Sequence, residues 1–255
     1  MHLILTGATG LIGSGVLDAM LKMKDITKIS ILSRRPVTMA EEANDPRVNV
    51  IIHTDFLRYG PDVLSQLQGA TGAVWALGVS QTKVSKEEYV TITKDYALAG
   101  VKAFSNLAPN KEPFRFIFVS GQGSSQNPGR LASMYSRVKG ETETMLSEMR
   151  TTYPRLLTEA VGPGYVDPKD HNAIHAYIPN EGFLYNSVRN TLGLPIRLAI
   201  KSLHAPTKPL GRFLTEMAMG KFDMQLDEGG GDIVTLNGGL RIVKNAAFLR
   251  LAGLS

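Results

Sequence analysis

The chain has 255 residues, 43% of them apolar, with 28 Lys and Arg against 23 Asp and Glu, a formal net charge of +5, and no cysteine. That length suits one α/β domain with a core of its own, and the apolar fraction excludes a disordered chain. The lack of cysteine excludes a disulfide scaffold, an iron–sulfur site, a thiolate nucleophile and cysteine-ligated zinc, and it suits a reducing compartment such as the cytoplasm. The basic residues are scattered without a run of five or six, so the excess charge reads as solvated surface with a few anion contacts and no nucleic-acid partner. No apolar stretch reaches the roughly 18 residues that a membrane span needs, and the run Met1-His2-Leu3-Ile4-Leu5 is too short for a signal core.

In chain order, Leu3-Ile4-Leu5 is a short apolar run stopped by glycines and is predicted to be a buried strand. Val16, Leu17, Met20 and Leu21 have helical spacing and predict a helix over 16–23. Further strands are predicted at 29–32, 48–52, 73–77, 114–119 and 156–161. Helices are predicted between them at 61–67, 86–106 and 132–150. From Pro163 to Pro209 the pattern loosens, Pro and Gly recur, and three of the five histidines sit there. Residues 163–210 are therefore expected to form a cap or lid inserted in a single domain spanning 1–255. A helix over 213–219, a strand over 233–236 and a helix over 245–251 complete the chain. Short apolar strands alternating with helices predict an α/β fold, a doubly wound parallel sheet of the Rossmann kind with a small C-terminal substrate cap.

The loop Gly7-Ala8-Thr9-Gly10-Leu11-Ile12-Gly13 follows the first strand and opens a helix. Glycines there let the backbone approach a pyrophosphate, and the helix start supplies free N–H groups and a positive dipole end. Gly7, Thr9, Gly10, Leu11, Ile12 and Gly13 are the predicted dinucleotide contacts. A site for NAD usually has an acid after the second strand, whereas this chain has Ser33-Arg34-Arg35. Two guanidiniums suit a 2′-phosphate, so Arg34 and Arg35 predict NADP(H). Asp55, after the third strand, is placed to meet the adenine edge. Phe56 beside it, and Ala76, Leu77 and Gly78 after the fourth strand, complete the predicted cofactor set.

Tyr135 and Lys139 stand one helical turn apart in the helix after the fifth strand. A lysine ammonium beside a phenol would lower the tyrosine's pKa, making it a proton donor to a carbonyl or acceptor from an alcohol. Lys139 would also hold the nicotinamide ribose.

These features together resemble a short-chain dehydrogenase/reductase of the extended or atypical kind. They are the glycine loop, Asp55, Val119-Ser120 at the end of the fifth strand, and Tyr135 with Lys139. The similarity covers roughly residues 1–165 and is greatest to the branch related to nucleoside-diphosphate-sugar epimerases and TIP30-like proteins. It implies an NADP-binding Rossmann domain, hydride transfer at a carbonyl or alcohol, and a Ser or Thr beside the tyrosine. Two departures stand out. The family's hydroxyl-rich patch reads Ser120-Gly121-Gln122-Gly123-Ser124-Ser125 here, with Gln122 near the usual hydroxyl, leaving Ser120 or Ser124 as its replacement. An Arg often found after the sixth strand is Gly162.

His171 and His175 share a helical spacing but lack a third ligand, and prolines flank them, so they are read as loop histidines with no metal. Trp75 is read as core or as the floor under the adenine, and Ser80 or Gln81 as a candidate substrate contact. Leu184–Leu203, interrupted by Gly193 and Pro195, is read as a lid rather than a membrane-surface helix. The leading expectation is an NADP(H)-dependent oxidoreductase with Tyr135, Lys139 and Ser120 or Ser124 as catalytic residues. Its substrate is a small organic carbonyl or alcohol, and its state monomer or homodimer. A redox-neutral epimerase or isomerase and a non-catalytic NADP(H) sensor are the alternatives.

Overall fold

The computed structural model describes residues 1–178 and 201–254. Ten strands are present among them: β1 (His2–Thr6), β2 (Lys28–Ser33), β3 (Val48–Ile52), β4 (Gly72–Trp75), β5 (Phe114–Val119), β6 (Leu156–Gly162), β7 (Tyr165–Asp167), β8 (His204–Pro206), β9 (Ile233–Thr235) and β10 (Arg241–Lys244). Eight make one sheet in the order β3-β2-β1-β4-β5-β6-β10-β9. Every pairing in it is parallel except β10 with the edge strand β9. The chain runs outward from β1 to β3, then crosses back to place β4 on the other side of β1. That reversal opens a crevice at the carboxyl ends of β1 and β4.

The helices are α1 (Leu11–Lys22), α2 (Thr38–Ala43), α3 (Pro61–Leu67), α4 (Lys86–Val90), α5 (Tyr96–Phe104), α6 (Met134–Thr152), α7 (Thr207–Ala218), α8 (Asp223–Glu228) and α9 (Asn245–Leu251). They cover both faces of the sheet because successive strand residues point to opposite sides. Leu3, Leu5, Val74 and Ile117 pack on one face with Val16, Leu17, Phe213 and Phe248. Ile4, Trp75, Phe116 and Phe118 pack on the other with Phe104 and Leu146. All fourteen of these side chains are fully buried. Helices α1 and α7 approach so closely that a Cβ on Gly211 would lie 2.2 Å from the Gly15 carbonyl oxygen.

Several predicted boundaries shift. The fourth strand ends at Trp75 rather than Leu77. The helix expected over 86–106 is α4 and α5 joined by a π turn at Thr91–Asp95. The helix expected from Phe213 begins at Thr207, so residues 207–210 belong to a helix packed on α1 and not to a cap. Strands β7 and β8 pair in parallel as a separate two-stranded sheet, Tyr165 with His204. Strand β10 was missed because its first residue is an arginine. Arg241 is buried there by donating to Glu159 on β6 and to Asp227, and a charge goes inside only when paired. The predicted lid over 184–203 lies, up to residue 200, outside the described residues. No helix among the described residues is long and apolar enough to cross a membrane.

Candidate active site

The glycine loop is held by backbone contacts that tolerate no side chain. Gly7 has φ +75°, and a Cβ on it would lie 2.4 Å from the Ala76 carbonyl oxygen. A Cβ on Gly13 would lie 1.9 Å from the Gly7 carbonyl oxygen, which also accepts from the Gly10 N–H at 2.9 Å. Gly10 caps α1 without any side-chain acceptor, and the first turn carries no acid. The first N–H groups of α1 thus keep their capacity for an anion, at the positive end of the helix dipole. Thr9, Leu11 and Ile12 are half-buried along this turn.

Past β2, the Ser33 hydroxyl donates to the Arg35 carbonyl (2.7 Å) and fixes the turn. Arg34 and Arg35 are exposed, and neither guanidinium pairs with a carboxylate among the described residues. Asp55 is exposed and accepts from the Leu57 N–H (3.1 Å). Phe56 departs from expectation. Its ring is fully buried, stacked on Tyr96 with centroids 5.7 Å apart and edge-on to Trp75, so only its backbone can face a ligand. Ala76 and Leu77 are half-buried beyond β4, and Gly78 is exposed.

On the far side of the crevice Tyr135 sits in the first turn of α6. Its N–H donates to Gln81 Oε1 (2.9 Å), and Ser133 caps the helix by accepting from Ser136 N–H (3.2 Å). Gln81, read from sequence as a substrate contact, is thereby a helix-positioning residue; Ser80 pairs with Thr82. The Tyr135 hydroxyl lies over Gly121, where a Cβ would come within 1.7 Å of it. Burial, with Tyr89 and Glu143 adding to it, pushes the phenol up to about 12.

The lysine departs from expectation. Lys139 Nζ donates to the Val119 carbonyl (2.9 Å) and lies 4.6 Å from the centre of the Phe118 ring. Its charge is not among those acting on the phenol, so it does not lower the Tyr135 pKa in this arrangement. Desolvation pushes Lys139 itself down to about 8, opposed by Glu143. A lysine whose folded value is below its ordinary 10.5 weakens the fold at low pH. The penalty is full below about pH 8 and fades as pH rises toward 10.5. We therefore expect Lys139→Met/Glu143→Gln, which removes this buried charge together with its countercharge, to stabilise the cofactor-free protein at pH 7 by about 1–3 kcal/mol. Urea unfolding should show that gain shrinking by pH 10, and a destabilised variant at pH 7 would contradict it.

The two serines divide. Ser124 Oγ donates to Glu143 Oε1 (2.9 Å), and Gln126 Nε2 donates to the other carboxylate oxygen. Ser120 is buried near enough to Glu143 to favour its charged form, yet its hydroxyl is outside hydrogen-bonding geometry. Glu143 escaped the sequence reading, although it falls one turn past Lys139 on the same helix face. Gln122 is exposed, its N–H held by the Pro163 carbonyl (2.9 Å). A hollow of about 460 Å³ opens beside Gly121 and Ser124, walled by Gly162, Val234, Ile242 and Lys244. Gly162 leaves room where the resembling family often has an arginine. Asn245 ties this wall to β8, accepting from the Gly164 N–H (2.9 Å) and donating to the Ser202 and His204 carbonyls.

His171 is buried, bridging Asp18 on α1 and Thr207 on α7 at 3.0 Å each, while His175 meets the Pro168 carbonyl. No group of three potential metal ligands occurs among the described residues.

No family model matches the chain. It is 30% identical over 241 residues to leucinostatins biosynthesis cluster protein T of Purpureocillium lilacinum, covering 93% of this chain and 86% of that one. It is 38% identical over 160 residues to botcinic acid biosynthesis cluster B protein 16 of Botryotinia fuckeliana (strain B05.10), covering 62% of this chain and 99% of that one. Among solved structures it superposes on an oxidoreductase of the short-chain dehydrogenase/reductase family from Burkholderia thailandensis with a TM-score of 0.65, at 14% identity over 96% of this chain and 92% of that one. BdcA, solved in complex with NADPH, gives 0.61 at 13% identity, over 96% and 93%.

Proposed function

We propose that this chain, which has the fold of the short-chain dehydrogenase/reductases and resembles their atypical branch, is an NADP(H)-dependent oxidoreductase acting on a carbonyl or alcohol of a small organic molecule. The observation that carries the reading is the half-buried Tyr135, its hydroxyl over Gly121, with Lys139 one turn on, at the carboxyl end of β5. Two relatives named for biosynthesis clusters support a secondary metabolite as substrate.

The residues fit the cofactor. The crowded glycines and the uncapped start of α1 suit a pyrophosphate held by backbone N–H groups of Thr9, Gly10, Leu11 and Ile12. Arg34 and Arg35 would take the 2′-phosphate, and Asp55 with the Phe56 backbone the adenine. Ala76, Leu77 and Gly78 would flank the chain of the dinucleotide, with Lys139 reaching the ribose. Bound there, NADPH would supply a hydride to the substrate carbon. Tyr135, protonated well past neutral pH, holds a proton on Oη that it can give to the substrate oxygen. Ser120 is the hydroxyl left to polarise that oxygen, since Ser124 is engaged by Glu143. The hollow behind Gly121, with Ser202 and Leu203 at its edge, would hold the rest of the substrate.

The cofactor claim is tested without a substrate by fluorescence titration with NADPH and NADH. Hydrogen bonds to a charged group contribute about 1.5–3 kcal/mol, so Arg34→Ala/Arg35→Ala should weaken NADPH by about 10- to 100-fold and leave NADH unchanged. If wild type binds neither nucleotide and denaturation releases none, the oxidoreductase reading falls. One observation favours a second reading, NADP(H) sensing without turnover: Ser124, a candidate for the family's active-site hydroxyl, donates to Glu143 instead.

A further inference from the structure

We infer that Glu143 is a positioning residue of the proposed site, one that keeps Lys139 charged and holds the 120–126 loop against α6. The inference rests on the proposed role of Lys139.

Glu143 has no exposed surface, and a buried carboxylate persists only where donors or a countercharge meet it. Both are present. The Ser124 hydroxyl and the Gln126 amide each donate to one carboxylate oxygen. The nearby Ser120 hydroxyl favours the charged form most, and Lys139, one turn back on α6, supplies the countercharge. The loop is further fixed by Ser125 N–H donating to the Ser136 carbonyl (3.1 Å), and by Gly140, where a Cβ would lie 1.9 Å from the Ser125 carbonyl oxygen.

From the lysine's side Glu143 is the countercharge one helical turn away. Lys139 faces the Val119 carbonyl and the Phe118 ring from β5, and Tyr135 and Glu143 from its own helix. Tyr89 of α4 is buried nearby and acts on Tyr135. Of these neighbours only Glu143 is an acid, and it alone opposes the desolvation of the ammonium. A carbonyl and a ring face stabilise a cation less than a buried carboxylate does. The arrangement also accounts for the departure in the loop after β5. Ser124 and Gln126 serve as donors to Glu143, and Glu143 acts on the lysine. It touches neither cofactor nor substrate in this reading.

The test is carbon NMR on full-length protein labelled at the lysine ε-carbons, with the Lys139 signal assigned from Lys139→Met. Glu143→Gln keeps an acceptor for Ser124 and removes the charge. The Lys139 midpoint should fall by roughly one unit, as expected for losing a buried countercharge, while the other lysines stay put. Glu143→Asp should recover part of that shift. If a charged Lys139 binds the ribose, NADPH affinity of Glu143→Gln should be about fivefold weaker at pH 8 and unchanged at pH 6, given that shift. An unchanged midpoint in folded Glu143→Gln would overturn the inference. So would an equal loss of affinity at both pH values, the mark of a loop that has only come loose. Should Glu143→Gln fail to fold, wild type decides. With side-chain-carboxyl-labelled glutamate, the two groups should titrate as a coupled pair, Lys139 showing a second inflection as Glu143 protonates, and two independent curves refute the coupling. Wild-type NADPH binding is scored separately, so failure of the oxidoreductase reading leaves the lysine midpoint standing as its own result.

Discussion

Tyr135→Phe is expected to lower kcat for carbonyl reduction by about 10²- to 10⁴-fold, the usual worth of a positioned general acid. The substitution removes one oxygen and keeps the ring, so packing over Gly121 is retained. The Tyr135 N–H that donates to Gln81 belongs to the backbone and is untouched. NADPH affinity and thermal stability should therefore match wild type, which separates lost chemistry from lost structure. With the phenol pushed up to about 12, the cofactor-free enzyme holds its proton across the neutral range. Activity in the reducing direction should accordingly show no tyrosine-linked decline between pH 6 and 9. The measurement is initial rates of NADPH oxidation against a panel of ketones and aldehydes. Turnover unaltered by Tyr135→Phe would remove Tyr135 from the chemistry. NADPH binding without turnover of any panel member would favour the sensing reading.

Gly13→Val is expected to abolish NADPH binding, by more than 100-fold, and to cost about 2–4 kcal/mol of stability. The Cβ would be placed 1.9 Å from the Gly7 carbonyl oxygen, a backbone atom that cannot swing away. Gly7 is itself pinned by the Ala76 carbonyl at a φ of +75°, so the strain passes directly from α1 to the end of β4. Urea unfolding followed by the single, fully buried Trp75 reads the stability change. Gly129→Ala, in a loop with open space around it, is the matched control and should change neither quantity. If Gly13→Val folded and bound NADPH as wild type does, the loop would not be the dinucleotide cradle.

Much of the architecture was legible in the order of residues. The first six strands and the glycine loop are each marked by a short, mostly apolar run or a glycine cluster, signals that need no neighbours to be read. Tyr135 and Lys139 were legible as a pair because helical spacing alone sets them on one face. What escaped was whatever depends on a partner distant in sequence. Strand β10 starts with Arg241, polar by composition, and is buried only because Glu159 lies opposite it on β6, 82 residues earlier. Phe56 looked like a ligand contact beside Asp55, yet its ring joins Trp75 and Tyr96 in the core.

The sequence by itself determined the doubly wound sheet, the place of the crevice and the residue types that line it, since these follow from local periodicity and from glycine's missing side chain. The tertiary structure alone decided where the charges act. It set Lys139 against the Val119 carbonyl rather than the phenol, and gave Ser124 and Gln126 to Glu143. A buried charge is placed by whatever desolvates and pairs it, and those groups come from β5, the following loop and α6, elements that only folding brings together.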